Sequence, residues 1–212
     1  MGRPGAADDV SHRIRCRCGK VSGAVAEPHT AIRAVCHCVD CRAYAVHLGS
    51  ERAALDAEGG TDIVATQARH VTFDAGAGQL ACVSLSPKGL LRWYAACCNT
   101  PIANTPRDWR FAYVGLVHTA LATPLEASFP RVQMHVNASH LASKPPSRGW
   151  RGTAALLGLM RRLVGSRLTG RYRTTQLFTT AGKPVVDVSV LSREERERAT
   201  RAAAGASGDY RR

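Results

Sequence analysis

The sequence predicts a mainly β domain of short antiparallel strands, followed by an α+β C-terminal extension. Three observations predict it. From Ser11 to about Ser143, short segments rich in Val, Thr and aromatics are separated by Gly, Pro or Asp, the pattern of many short strands. The stretch "ASKPPSRGW" then sets two prolines among charges and stops regular structure. Beyond it, apolar residues recur at helical spacing.

Residues 1–11 read as a disordered N-terminus, 12–143 as a zinc-binding domain on the cysteine argument below, and 144–212 as the extension. The expected strands are "HRIRC", "SGAVAE", "AIRAV", "DIVAT", "QLACVSL", "LLRWYA", "FAYVGLV" and "RVQMHV". "DCRAYAVHLG" fits one or two helical turns between strands. In the extension, "TAALLGLMRRLVGSRL" places Leu156, Leu159, Met160, Leu163 and Val164 on one helical face, with Arg161 and Arg162 on another. Such a helix packs on the β domain or on a second subunit; the alternative is a helix lying on a membrane surface. "TQLFTTAGKPVVDVSV" reads as a strand pair joined by a Gly-Lys-Pro turn. Ser192, followed three residues later by Glu195, is a capping box that opens a terminal helix.

At 212 residues the chain is long enough to bury a core without help. The N-terminus has no apolar leader, and "GTAALLGLMRRLVG" is too short and too basic to span a bilayer. No transmembrane segment and a cytoplasmic location are therefore expected. The net charge of +13 is uneven: residues 1–143 carry 14 Lys or Arg against 11 Asp or Glu, and residues 144–212 carry 15 against 5. The charge belongs to the extension. It reads as a solvated basic tail, with nucleic acid or another anionic partner as the alternative.

In a reducing compartment, clustered thiols are metal ligands or catalytic groups more often than disulfides. Of the eight cysteines, seven fall into three clusters: Cys16 and Cys18 in "RCRCGK"; Cys36, Cys38 and Cys41 in "CHCVDC"; and Cys97 and Cys98 in "AACCNT". Only Cys82 stands alone. Zinc takes four donors at tetrahedral corners, and thiolate is a preferred one. Gly19 frees the backbone to turn after Cys18. A disulfide between Cys36 and Cys38 would close a strained ring, which counts against a redox pair.

"CRCG" followed by "CHCVDCR" resembles the glutathione-dependent formaldehyde-activating enzyme family, which includes centromere protein V. The resemblance runs over roughly residues 13–140. It implies a β-tent fold and two Zn²⁺ ions. The open, catalytic zinc would be held by Cys36, Cys38 and Cys41, and a structural zinc by Cys16, Cys18 and Cys98. The family's third element, F-C-x-x-C-G-T, departs here: Ala95 stands at its first cysteine and Asn99 at its glycine. Asn tolerates a left-handed turn position, so that change is mild. The loss at Ala95 leaves the structural site one ligand short. Cys97 is the preferred replacement, with Cys82 or water as alternatives.

The resemblance further implies a carbon–sulfur lyase acting on a glutathione–aldehyde adduct such as S-hydroxymethylglutathione. The competing reading is a non-catalytic zinc-stabilised module whose basic tail contacts a partner. Arg42 is a candidate to offset the charge of three thiolates, or else a solvated or packing arginine. His37, between two ligands, is expected to point away.

Overall fold

The structure, a computed structural model, describes residues 11–139, 141 and 149–205. The expected disorder over 1–11 lies outside these residues except at Ser11, which opens the first strand. Most of the "ASKPPSRGW" boundary also lies outside them.

In chain order come β1 (Ser11–Arg15), β2 (Ser22–Ala26), β3 (Ile32–Cys36), α1 (Val39–His47), α2 (Glu51–Ala54) and β4 (Thr61–Gln67). Next come β5 (Val71–Ala75), β6 (Leu80–Ser84), β7 (Leu91–Ala95), β8 (Thr100–Thr105), β9 (Tyr113–Val117) and β10 (Met134–Val136). The chain then forms α3 (Gly149–Leu168), β11 (Val188–Val190) and α4 (Arg193–Gly205). The described residues are thus mainly β, with helices concentrated at the C-terminal end.

Strands β1, β2 and β5 form a small antiparallel sheet. The large sheet has the order β10-β3-β4-β9-β8-β7-β6-β11. Its six central strands pair antiparallel, as expected. Its two edges do not: β10 joins β3, and β11 joins β6, in parallel. Each edge strand arrives from a distant part of the chain rather than through a hairpin, and so it is free to run either way.

The period of two along each strand assigns the layers. Leu91, Trp93 and Ala95 of β7, with Val64 of β4 and Leu116 of β9, join Ile14 and Val25 of the small sheet in the main core. Arg92 and Tyr94 therefore face the opposite side. On that side Tyr94 packs beside Ala43, Tyr44 and Leu48 of α1 and Ala199 of α4. Along the same face Ile32 and Ala65 meet Leu159 and Leu163 of α3. The molecule has three layers, with the large sheet in the middle.

The extension packs into these layers. Leu156, Leu159 and Leu163 of the amphipathic face of α3 pack on the β domain, while Met160 and Val164 of that face stay 42% and 55% exposed. The expected strand pair around the Gly-Lys-Pro turn is reduced to one bridge, Phe178 to Pro184. The residues that follow pair with β6 instead, because its free edge offers more backbone partners than a short isolated hairpin. The capping box forms. Ser192 Oγ accepts from the Glu195 N–H at 3.2 Å, and the Glu195 carboxylate accepts from the Ser192 N–H at 2.8 Å. Ser192→Ala is expected to cost about 1 kcal/mol, measured as a lowered urea midpoint. An unchanged midpoint would mean that α4 adds nothing to the stability of the fold.

Candidate metal centres

Two turns meet at the first centre. After β1 the chain reverses through Cys16–Gly19, where the Gly19 N–H bonds to the Cys16 carbonyl and Gly19 adopts φ 79°. The hairpin between β7 and β8 turns through Ala96–Asn99, with Asn99 at φ 53°, the left-handed position expected of it. Arg17 ties the turns together: its N–H donates to Thr100 Oγ1 at 3.0 Å and its guanidinium to the Cys98 carbonyl at 2.8 Å.

This brings Cys16, Cys18, Cys97 and Cys98 together, with all four sulfurs within 4.8 Å of one another. Cys16 Sγ is 3.6 Å from Cys18 Sγ and 3.8 Å from Cys97 Sγ, and Cys97 Sγ is 3.3 Å from Cys18 Sγ and 3.9 Å from Cys98 Sγ. Sulfurs about 2.3 Å from one tetrahedral zinc lie about 3.8 Å apart, so the donor set fits the ion. The gap left at Ala95 is thus covered by Cys97. Neighbouring cysteines diverge on a strand but converge on a turn, and these two lie on a turn. Cys82 is not in the group. It is buried in the main core, and burial pushes its thiol up to about 12.

The second group is Cys36, Cys38 and Cys41, again within 4.8 Å of one another. Cys36 ends β3, and Cys38 caps α1, its sulfur accepting from the Cys41 N–H at 3.3 Å. The positive end of α1 therefore meets the sulfurs, which favours thiolate. Hydrogen bonds from Cys38 and Cys41 hold the Cys36 thiol far below its ordinary value, and contact with Cys36 raises Cys41 well above it. Three thiolates this close need a cation, which suits a metal ion.

The protein adds one cation of its own. Arg92, 3% exposed, donates to Asn104 Oδ1 at 3.1 Å and points a second contact at Cys41 Sγ, 3.8 Å away. Burial opposes its charge, but the nearby Cys41 sulfur helps to outweigh that and the pKa is raised. Asn137 approaches Cys36 Sγ at 3.7 Å. The Arg42 stem lies against the turn at Gly59. His37 is outside the sulfur group, its Nε2 3.1 Å from His135 Nδ1. Sequence reasoning missed Arg92, although "LLRWYA" held the signal: an arginine within an apolar strand, on the face opposite Trp93.

A cavity of about 360 Å³ opens beside Cys36, Cys38 and Cys41. The large sheet forms its floor, and Leu156, Leu159 and Met160 of α3 form its roof. The same cavity reaches Tyr113, whose phenol burial pushes up to about 12, so it stays protonated at neutral pH. Cys16, Cys18, Cys97 and Cys98 do not line that cavity.

No helix among the described residues is long and apolar enough to cross a membrane. Comparison with curated proteins finds no match. The sequence profile of one family matches residues 10–189, a span that runs through both cysteine groups and through the helix that roofs the cavity. The chain belongs to the DUF6151 family, a family of unknown function.

Proposed function

We propose that the chain is a zinc enzyme, a carbon–sulfur lyase that makes and breaks the bond between a thiol and an aldehyde at Cys36, Cys38 and Cys41. One observation carries this reading. The four-sulfur group offers the four donors of a closed zinc site, whereas the three-sulfur group offers three donors that line a cavity. Closed sites are structural, and open ones take water or substrate. The resemblance of "CRCG" and "CHCVDCR" to the formaldehyde-activating family supports the same division, with S-hydroxymethylglutathione as the first adduct to try.

A zinc ion held there would acidify a substrate thiol and polarise a carbonyl oxygen. In the synthetic direction the thiol sulfur bonds to the carbonyl carbon, the C=O π bond opens, and the thiol proton ends on the oxygen. The lyase direction reverses each change. Arg92 offsets the negative charge of the sulfurs, and the helix end at Cys38 does the same. Tyr113, held protonated, offers its O–H to the carbonyl oxygen. The roof from α3 limits water.

Exchange NMR with formaldehyde and a set of thiols, glutathione and simple alkanethiols among them, tests this reading. The wild type is expected to speed adduct formation over buffer with at least one of them, and Cys38→Ala to abolish the gain. Equal rates for the two proteins with every thiol would leave a zinc-stabilised binding module as the better account.

A further inference from the structure

Resting on that reading, we propose that the three-cysteine centre serves a thiol or aldehyde with an extended apolar chain, rather than a glutathione adduct. The lining of the cavity carries the inference. Ile32 and Ala34 of β3 and Ile63 and Ala65 of β4 point one way from the large sheet, as the period of two requires, and form an apolar floor. Leu156 and Leu159 close it from above. Much of the rim is apolar too, although Asp40 and Asn137 also reach it. Leu90, Val136 and Met160 line the mouth and are 44%, 36% and 42% exposed. Isolated exposed apolar residues are ordinary, but three around one opening make a path for an apolar chain.

The polar groups of the cavity do not suit glutathione, which carries two carboxylates and an ammonium at neutral pH. Among the described residues the lining contains one arginine, Arg92, and its guanidinium is already engaged by Asn104 and Cys41. The carboxylate in the lining, Asp40, would repel those of glutathione; it is 3.7 Å from Arg196. Carboxylates placed in this lining would lose water and gain no cation in exchange. An alkyl chain loses nothing comparable, and the cavity volume lies within the usual range for small-molecule sites.

The test uses the full chain loaded with Co²⁺ in place of zinc, because cobalt bands report directly on a sulfur that joins the metal. The probes are 1-butanethiol, 1-pentanethiol, 1-hexanethiol and glutathione, with Cys38→Ala as the blank for the four-sulfur site. Half-saturation is expected to fall about fourfold per added methylene, with hexanethiol binding at least about tenfold more tightly than glutathione. Leu156→Glu, on a half-buried roof position, is expected to flatten the chain-length series while the cobalt bands of the thiol-free protein stay unchanged.

Glutathione binding as tightly as hexanethiol, or a series without chain-length dependence, would overturn the inference and leave the lyase reading standing. Thiols that leave the cobalt bands untouched would overturn both. A clear chain-length series with no acceleration of adduct exchange for any of these thiols would uphold the apolar site and sink the lyase.

Discussion

Replacing Cys18 with serine is expected to lower the melting temperature by about 8–16 °C, the equivalent of about 4 kcal/mol for a chain of this size. The size of the effect is what makes it diagnostic. Cys18 is exposed, and a surface substitution away from any special feature changes stability by only about 0.5 kcal/mol. A large loss at such a position therefore reports a ligand. The four sulfurs join the turn after β1 to the β7–β8 hairpin, so a metal there cross-links the small sheet to the large one. Scanning calorimetry with and without a strong chelator provides the check. Chelator should lower the melting temperature of the wild type by more than that of Cys18→Ser, which has only the three-cysteine ion left to lose. A variant that melts with the untreated wild type would show that these sulfurs hold no structural ion.

Arg92→Met is expected to weaken zinc at the three-cysteine centre by about 10–100-fold, the usual cost of losing a partner that supports the ligands, and to leave the four-sulfur centre unchanged. Methionine keeps much of the volume of the side chain but not its charge. The variant would strand Asn104, and the three thiolates would lose their buried counter-charge. The Tyr44 ring, 5.2 Å from the guanidinium carbon, would lose its cation as well. Arg92→Lys should recover part of the affinity through charge while losing the planar guanidinium that lies near the Tyr44 ring. Competition against chelators of graded strength separates the two centres. Equal weakening of both would point to a general loss of packing rather than to the role assigned to Arg92.

Much of this arrangement is written locally in the chain. Apolar alternation marks β1 and β7, because one face of each meets the main core. The turn residues Gly19 and Asn99 take the left-handed backbone that their chemistry permits. The capping box at Ser192 is a contact between near neighbours, and so a short window suffices to see it. Strand β8, "TPIANT", is hidden for a physical reason. All six of its residues are buried, so no alternation remains, and a proline stands second. Short β5 follows a single turn of 3₁₀ helix and offers only Val71 and Phe73 to the core.

The candidate site divides in the same way. The cysteine clusters are legible because ligand spacing is local. What surrounds them is not. Arg92 reaches Cys41 across 51 positions, and the cavity roof comes from a helix that the sequence alone sets apart from the domain. Cys97 is the preferred fourth donor from the sequence, ahead of Cys82 and water, but spacing alone does not settle the choice. The choice depends on which turn meets which, and that is a property of the sheet pairing.

The central proposal is that each of the two cysteine groups, one of four sulfurs and one of three, holds a zinc ion. Zinc content of the purified protein, measured alongside Cys97→Ala and Cys38→Ala, tests it most directly. The account predicts two ions per chain in the wild type and one in each variant. A single ion in the wild type, or a Cys97→Ala protein that keeps its full content, would contradict it.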